Sequence, residues 1–465
     1  MGDALWQRSA LELAELIRSK EVSSREVVQA HLDRIDEVND AVNAITVTLA
    51  DAALTAADEA DGAKVGGPFH GVPFTIKENL DCVGSATTQG VPALVDAIPP
   101  LDAPIVARMK RAGAIPLART NLPEFGLRIS TDNPLRGRTN NPWNLDRTSG
   151  GSSGGEGAAL ATGMSPIGLG NDIGGSVRNP AYCCGVTALK PTPGRLPMAS
   201  SIPPLDPMLA SQLMSTDGPM ARRVGDLRVA MQVMGGRDTR DPRSVDVPFG
   251  QSGEDRGKRQ VRVAGLVTSI PGVTLAPSFV EAIRAAGAAL EHQGWKTVES
   301  SPPDLDLVNE VWASVLSFGV ATMRPALEAV MSAPAVALLD GLLGLYTMPI
   351  DAAFLERHRL IREWSAFFAD HPVVIGPIWT DVPFEHDADL DPERGMTVTL
   401  DRLRFITPGN VLGIPSCAVP TGVSYGLPTG VQVYADLWRD DLCLDCGQII
   451  EDELGVITPI DPVTS

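Results

Sequence analysis

The most informative part of this sequence is the stretch Thr139–Arg195. It begins TNNPWNLDRTSGGSSGGEGAALATG at residue 139, continues PIGLGNDIGGSVRNPAYCCGV from residue 166, and closes with TALKPTPGR at residues 187–195. Two clusters of glycine and serine lie within it, Gly150–Gly155 and Gly174–Ser176. Dense glycines let backbone N–H groups approach a bound molecule closely, and serines add hydroxyls without bulk. Glycine- and serine-rich segments can also be flexible linkers, but the apolar runs beside both clusters favour buried structure.

These motifs resemble the signature of the amidase signature family, serine hydrolases with a Ser–cis-Ser–Lys triad. The resemblance rests on NPW, GGSSGG, DIGGS followed by an arginine two residues later, and GVTALKPTPGR. An upstream block, HGVPFTIKENLD from His70, resembles the lysine motif of the family. The runs GGSSGGEG and GLGNDIGGS are particularly similar to those of fatty acid amide hydrolases and bacterial amidases. Segments near the N-terminus and near the C-terminus also resemble the family, so the resemblance covers most of the chain.

The resemblance implies a specific catalytic set in this chain. Ser176 is expected to be the nucleophile, Ser152 a proton relay, and Lys77 the base. The peptide bond from Gly151 to Ser152 is expected to be cis. A serine hydroxyl is a poor nucleophile until a base takes its proton, and a neutral lysine can do so. No metal and no cofactor is implied.

The family pattern also implies residues around that triad. The oxyanion hole is expected from the backbone N–H groups of Ile173, Gly174, Gly175 and Ser176. Supporting roles fall to Ser153, Asp172 and Arg178, for which ordinary surface polarity is the alternative. Substrate contacts are expected from Gly126, Ile129 and Ser130, in the loop Leu122–Arg138 that lies over the site in the family. One departure is Asn171, which stands where the family usually carries threonine or serine.

The position of Lys77 can be judged from the residues alone. Gly71–Ile76 is a short apolar run with the length of a buried strand, and Lys77 follows it directly. A lysine at a strand end is often a surface residue with only its stem buried. If Lys77 is instead buried beside few carboxylates, its pKa should fall, as a general base requires.

A rival motif is present in the same stretch. Gly150–Gly154 satisfies G-x-S-x-G, the nucleophile elbow of α/β-hydrolases. That elbow needs a buried strand immediately before it and an aspartate and a histidine downstream. The preceding segment, Asn144–Ser149, is too polar for a buried strand, so the elbow is disfavoured.

Composition excludes several classes of partner. The 465 residues carry a net charge of −19, which disfavours contact with nucleic acid or with an anionic membrane. No long apolar run and no secretory signal is visible, so a cytoplasmic protein is expected. Cys443 and Cys446 form a C-x-x-C without a second pair, which favours a reduced, buried pair on a helix over a zinc site.

The order of elements predicts an α/β protein. We expect a single-domain α/β/α sandwich around a large mixed β-sheet, spanning residues 1–465. Residues 1–60 should form a helical arm, because Ser9–Glu12 and Ser23–Glu26 are capping boxes. Residues 70–195 form the catalytic core segment, and residues 300–370 a variable helical region that shapes the substrate pocket. The helix beginning at Ser23 places His31 on its packed face.

Several further segments can be predicted. A helix is expected at Pro104–Ala112, followed by the strand AIPLART. Strands are also expected at Val261–Leu266 and Pro372–Gly376, with closing strands in the segment from Gly409 to Gln432. Ser201–Met214 is rich in proline and methionine and is a candidate flap, and Arg240–Arg259 is a candidate surface excursion.

These observations predict a serine amidohydrolase that forms an acyl-enzyme on Ser176, with apolar acyl or aryl amides as substrates. Carbamates (urethanes) and esters present the same carbonyl group and are an alternative. A different class is the amidase subunit of the tRNA-dependent amidotransferase, which works only in a complex. The specificity loops do not identify the substrate, and the sequence leaves the oligomeric state open.

Overall fold

A mixed β-sheet organises the protein in a computed structural model that describes residues 4–250 and 262–463. The strands are β1 Ile45–Thr48, β2 Pro73–Lys77, β3 Ile115–Thr120, β4 Asn140–Asn141, β5 Asn144–Thr148, β6 Ile167–Asp172, β7 Thr187–Lys190, β8 Thr216–Ala221, β9 Val263–Leu266, β10 Lys296–Glu299, β11 Val373–Pro377, β12 Ser416–Ser424 and β13 Leu427–Ala435. Eleven of them form one sheet in the order β1-β3-β2-β6-β8-β7-β12-β13-β11-β9-β10, and β4 pairs with β5 separately. Strand β2 runs parallel to β3 and β6, and β9 parallel to β10 and β11, whereas the other neighbours are antiparallel. The predicted mixed sheet is confirmed.

Helices cover both faces of this sheet. They are α1 Ala10–Arg18, α2 Ser24–Val42, α3 Ala50–Gly62, α4 Pro104–Arg111, α5 Gly154–Ala161, α6 Arg178–Cys184, α7 Leu209–Met214, α8 Val224–Met234, α9 Pro277–His292, α10 Leu305–Glu328, α11 Ala333–Leu343, α12 Ile350–Asp370, α13 Gly395–Leu403, α14 Thr407–Val411 and α15 Asp440–Leu454. Alternate strand residues enter two separate cores: Val374 of β11 packs into one, and Val373 and Ile375 into the other. Side chains alternate across a strand, so one sheet supplies both cores and the sandwich follows.

The N-terminal helices begin where their capping boxes predict. The Ser9 hydroxyl accepts from the Glu12 backbone N–H, and the Ser9 N–H donates to the Glu12 carboxylate. Ser23 and Glu26 repeat the arrangement at the start of α2. His31 is buried on the packed face of α2, as predicted, and burial lowers its pKa to about 4.

The strands that carry the catalytic core lie side by side. Strand β2 is buried along its whole length, because it is apolar and sits between β3 and β6. Helix α4 leads directly into β3, which runs parallel to β2 as the pattern predicts. Since parallel strands end at the same edge of a sheet, Lys77 at the end of β2 lies beside the end of β6.

Three segments can be compared with the prediction. Asn144–Thr148 forms a partly exposed strand in the β4–β5 hairpin, so the prediction that it is not a buried strand is confirmed. The segment from Gly409 begins inside helix α14, and the closing strands start at Ser416. The second half of the candidate flap is helix α7, because Leu209–Met214 places Ala210 and Met214 on a buried face.

The prediction that Arg240–Arg259 lies on the surface is also partly wrong. Asp241 and Ser244 are buried, since Asp241 accepts hydrogen bonds from the Met198 and Arg243 backbone N–H groups. Residues 251–259 of that segment, and Val261 of the predicted strand, lie outside the described residues. Cys443 and Cys446 are buried free thiols on α15, as predicted. Within the described ranges no helix is long and apolar enough to cross a bilayer.

Candidate active site

Lys77 and Ser152 are in direct contact at the centre of the molecule. The Lys77 Nζ lies 2.6 Å from the Ser152 Oγ. Lys77 is fully buried, because it ends the buried strand β2 and its ammonium end points toward the carboxyl end of β6. The surface alternative for this lysine is therefore wrong.

A second polar contact fixes the Lys77 amine. Asn171 Oδ1 accepts a hydrogen bond from Lys77 Nζ at 2.8 Å. The Asn171 amide in turn donates to Asn79 Oδ1 at 3.0 Å. The residue that departs from the family pattern thus contacts the Lys77 amine directly, and Asn79 orients it.

Burial sets the charge state of Lys77. Loss of water lowers the pKa of this lysine to about 7, although the carboxylates of Asp172, Asp217 and Glu156 act in the opposite direction. The surroundings therefore contain more carboxylates than the sequence suggested. A substantial fraction of Lys77 is still uncharged at neutral pH, because the cost of burying the ammonium outweighs these attractions.

Ser152 and Ser176 open onto the same cavity. Ser152 follows a cis peptide bond from Gly151. A side chain at Gly151 would lie 2.6 Å from the Arg128 carbonyl oxygen, so only glycine fits there. The Ser153 N–H donates to the Ser176 carbonyl oxygen at 3.0 Å, and this hydrogen bond links the two clusters of glycine and serine. Among the described residues, no direct hydrogen bond joins the Ser152 and Ser176 hydroxyls.

A buried ion pair supports the loop that carries Ser176. Arg178 Nε donates to Asp172 Oδ2 at 3.0 Å, and both side chains are fully buried. Arg178 holds the pKa of the Asp172 carboxyl well below its usual range, despite its burial. Asn410 donates a further hydrogen bond to this carboxylate at 2.8 Å. Asp172 and Arg178 are therefore buried structural partners and not surface groups. Ser153 is also fully buried, and its hydroxyl has no partner within the described chain.

The backbone donors ahead of Ser176 are not equivalent. The Gly175 N–H donates to Asp172 Oδ1 at 2.8 Å, so this donor is already engaged. No acceptor occupies the N–H groups of Ile173, Gly174 and Ser176 among the residues that the structure describes. Trp312 Nε1 donates to the Ile173 carbonyl oxygen at 3.0 Å and so restrains this loop from outside.

Two cavities meet at Ser176. The first, which we call the polar cleft, has a volume of about 350 Å³ and contains Ser152, Asn171 and Asp217 in its wall. The second, which we call the apolar pocket, has a volume of about 50 Å³ and is lined chiefly by Ile129, Ile173, Trp312, Leu316, Leu338, Leu342 and Leu403. The predicted variable helical region supplies Trp312, Leu316, Leu338 and Leu342.

Only two of the three predicted substrate contacts line a cavity. Gly126 lines both cavities, and Ile129 lines the apolar pocket. Ser130 does not: it is buried, and its hydroxyl accepts a hydrogen bond from the Thr148 hydroxyl at 3.0 Å.

Among the described residues, the two cavities contain neither the histidine of a nucleophile elbow nor a group of side chains that could hold a metal ion. No histidine of the described chain lines either cavity. Within residues 4–250 and 262–463, no three His, Cys, Asp or Glu side chains are grouped so that they could hold a metal ion. The site consists of hydroxyls, one amine, amides, carboxylates and backbone N–H groups.

The model of the family described as Amidase matches residues 26–444. The chain belongs to the amidase family. This amidase is 41% identical to the indoleacetamide hydrolase of Bradyrhizobium diazoefficiens over 464 aligned residues, covering 97% of this chain and 88% of the relative. It is 32% identical to a glutamyl-tRNA(Gln) amidotransferase subunit of Salinispora tropica, covering 97% and 98%. A solved structure of 6-aminohexanoate cyclic dimer hydrolase superposes with a TM-score of 0.84 at 29% identity, covering 97% and 98%. This amidase therefore acts as a hydrolase of carbon–nitrogen bonds in amides.

Four residues of the site have no role that the sequence alone assigns: Asn79, Asn171, Asp217 and Trp312. Asn171 departs from the family pattern, which is the available signal for it. Asp217 lies in the run STDGPMARRVGDL, which resembles the family, but nothing in that run indicates chemistry. Asn79 belongs to the motif HGVPFTIKENLD and Trp312 to the predicted helical region of residues 300–370, but neither pattern indicates the contacts that these two residues make.

Proposed function

We propose that this amidase cleaves its substrate through an acyl-enzyme on Ser176, with Ser152 as proton relay and Lys77 as base. The observation that carries the proposal is the 2.6 Å contact between Lys77 and Ser152, at the wall of a cavity that Ser176 shares. A buried lysine whose pKa falls to about 7 has the uncharged amine that a base needs near neutral pH.

The first half of the reaction forms the acyl-enzyme. Ser176 Oγ attacks the amide carbonyl carbon, its proton passes to Ser152, and the Ser152 proton passes to the Lys77 amine. The free N–H groups of Ile173, Gly174 and Ser176 stabilise the oxyanion that results; losing one such donor typically costs about 3–4 kcal/mol. The carbon–nitrogen bond then breaks, and the leaving nitrogen receives a proton from Lys77 through Ser152.

The second half releases the acid. A water molecule takes the place of the departed amine, gives up a proton to the same relay, and attacks the ester carbonyl on Ser176. The ester bond breaks and the proton returns to Ser176 Oγ. In an empty site catalytic hydrogen bonds are often longer than in a complex, so the relay between Ser152 and Ser176 closes when substrate binds.

The substrate class that we propose is amides with an apolar, aryl-bearing acyl group, of which an indoleacetamide-type compound is the first to test. The apolar pocket beside Ser176, with Trp312 and five leucines in its wall, supports this class. The identity of 41% with an indoleacetamide hydrolase supports it independently.

A burst experiment tests the proposal. A p-nitroanilide of an arylacetic acid, mixed in excess over the enzyme and quenched early, should release one equivalent of p-nitroaniline per enzyme and add the acyl mass to the peptide that contains Ser176. Ser176→Ala, with an unchanged circular dichroism spectrum, should lose turnover by about 10⁵-fold or more and show no adduct. Turnover retained by Ser176→Ala would refute the nucleophile.

The same compounds decide between the alternatives. Esters and carbamates with the same acyl group measure whether the site prefers another leaving atom. The 32% identity with an amidotransferase component favours one other function, that of a chain which works only in a complex. Turnover of the anilide by the purified chain alone would exclude that function.

A further inference from the structure

The polar cleft contains a carboxylate that neither the proposed mechanism nor any comparison uses. Asp217 is 2% exposed and forms part of the cleft wall together with Ser152 and Ser176. Among residues 4–250 and 262–463, no group donates a hydrogen bond to its carboxylate or forms an ion pair with it. A buried carboxylate without a partner is costly, so such a group in a cavity wall indicates that a ligand completes it.

The register of the sheet places Asp217 close to the catalytic relay. Asp217 on β8 pairs directly with Asn171 on β6. Side chains of directly paired residues in antiparallel strands lie on the same face, about 5 Å apart. Asn171 contacts Lys77, so Asp217 flanks the relay on the cleft side.

The chemistry of the relay determines which part of the substrate reaches this carboxylate. The leaving nitrogen receives its proton from Ser152, and Ser152 lines the polar cleft. The acyl group must then lie on the other side of Ser176, where the apolar pocket is lined by Gly174 and Trp312. Asp217 therefore faces the leaving group.

The other charged groups of the cleft make its potential negative. Asp81, Asp206, Asp217 and Asp241 line it with two arginines, Arg240 and Arg243. Asp81 and Asp241 already accept hydrogen bonds from the Ser201 and Met198 backbone N–H groups, and Arg243 donates to Asp241. When Asp217 is ionised, four acids face two arginines, and Asp217 is the buried acid among them that is left without a partner in the described chain.

The size of the cleft excludes ammonia as its full occupant. One water molecule takes about 10–15 Å³ of such a cavity. A volume of about 350 Å³ is therefore an order of magnitude larger than an ammonia molecule needs. A leaving amine with a chain of several atoms fits the space.

We propose that the polar cleft is a binding site for a cationic leaving group, in which Asp217 accepts hydrogen bonds from an ammonium carried by the departing amine. The preferred substrates are then N-(aminoalkyl) amides of apolar acids. Burial raises the pKa of Asp217 to about 8, against the opposing charges of Lys77 and Arg243. A bound ammonium favours the ionised carboxylate and releases its proton, which the empty cleft retains near neutral pH. This inference rests on the proposed function, since it uses the same acyl transfer.

Three arylacetamides with one acyl group and different leaving amines test the inference. The N-(2-aminoethyl) amide carries a cation, the N-propyl amide is a neutral analogue of equal length, and the N-carboxymethyl amide carries an anion. We expect kcat/KM of the cationic amide to exceed that of the neutral one by about tenfold or more, with the anionic amide lowest. Equal values for the cationic and neutral amides would overturn the inference.

Matched variants locate the effect. Asp217→Asn should reduce the preference for the cationic over the neutral amide to within about twofold. Asp206→Asn, the same change at an exposed carboxylate of the same cleft, should preserve the preference. A preference that survives Asp217→Asn would also overturn the inference.

A measurement on the unmodified enzyme covers the case in which Asp217→Asn does not fold. Ethylenediamine, the leaving amine of the cationic substrate, should inhibit at a concentration at least about tenfold lower than propylamine. Equal inhibition by the two amines would count against the site. Failure of the proposed function looks different, because then no member of the series is hydrolysed through Ser176, whereas failure of the inference leaves hydrolysis without selection.

Discussion

The two sides of Ser176 differ in size and in the balance of charged and apolar groups in their walls. The polar cleft is large, and its wall carries hydroxyls, amides, four acids and two arginines. The apolar pocket is small and is built mainly from leucine, isoleucine and Trp312. In our proposal the proton transfers take place on the side of the polar cleft, the acyl group binds in the apolar pocket, and Ser176 lies between them. Substitutions on the two sides should therefore change the chemistry and the acyl selectivity separately.

The largest effect is expected on the polar side, at the base. Lys77→Met keeps an unbranched side chain of similar length in the buried position but removes the amine. We expect kcat/KM to fall by about 10³–10⁴-fold, by the same factor for a small acetamide and for a bulky arylacetamide. Steady-state kinetics on both substrates measure the two factors. A loss confined to one substrate would mean that Lys77 selects substrates and does not drive the chemistry.

A carboxylate placed next to Lys77 tests whether this lysine is the base. In the unmodified enzyme kcat/KM should rise with pH through about 7, because protonated Lys77 cannot accept a proton and its fraction falls as pH increases. Asn171→Asp puts a carboxylate at the atom that accepts from Lys77 Nζ at 2.8 Å. It should raise the pKa of Lys77 and move the rise by about one to three pH units upward.

The matched control for that experiment is Asn171→Thr, which restores the usual residue of the family. It should leave the rise near pH 7. Activity of Asn171→Asp should be lost at pH 7 and largely recovered at pH 9 or above. A pH profile that does not move in Asn171→Asp would contradict Lys77 as the base.

A smaller and selective effect is expected on the apolar side. Trp312→Ala removes a large apolar side chain from the pocket and should lower kcat/KM for an arylacetamide by about 10- to 100-fold, with a much smaller loss for acetamide. Trp312→Phe keeps an aromatic ring but cannot donate to the Ile173 carbonyl oxygen, and it should retain most of the preference. Equal losses for both substrates in Trp312→Ala would show that this tryptophan acts only through the oxyanion loop.

The smallest effect is expected at Ser130, which lines neither the polar cleft nor the apolar pocket. Ser130→Ala removes a hydroxyl that accepts from Thr148. It should lower the free energy of unfolding by about 1 kcal/mol and leave kcat/KM within about twofold. Denaturant unfolding and steady-state kinetics measure the two. A large kinetic change would restore Ser130 as a substrate contact.

The helix caps and the buried strand β2 could be predicted from the sequence because neighbouring residues determine them. The capping boxes at Ser9 and Ser23 start helices at the expected residues, and the apolar run before Lys77 forms the buried strand β2. The predicted helical region of residues 300–370 contains Trp312 and Leu316, which are buried on α10. A weaker prediction fell on the polar segment Arg240–Arg259, where the pattern indicates exposure but a hydrogen bond from the distant Met198 helps to bury Asp241.

By itself the sequence determined the family, the mixed α/β fold and the elements of the catalytic core, because the motifs and periodicities are properties of neighbouring residues. Only the tertiary structure decided which side chains meet. Asn171 reaches Lys77 across 94 positions, Trp312 reaches Ile173 across 139, and Asp217 faces the cleft through its pairing with Asn171. For the two strand residues the physical reason is register, since a shift by one residue would turn Asn171 or Asp217 to the opposite face of the sheet. Trp312 is instead positioned by the packing of helix α10.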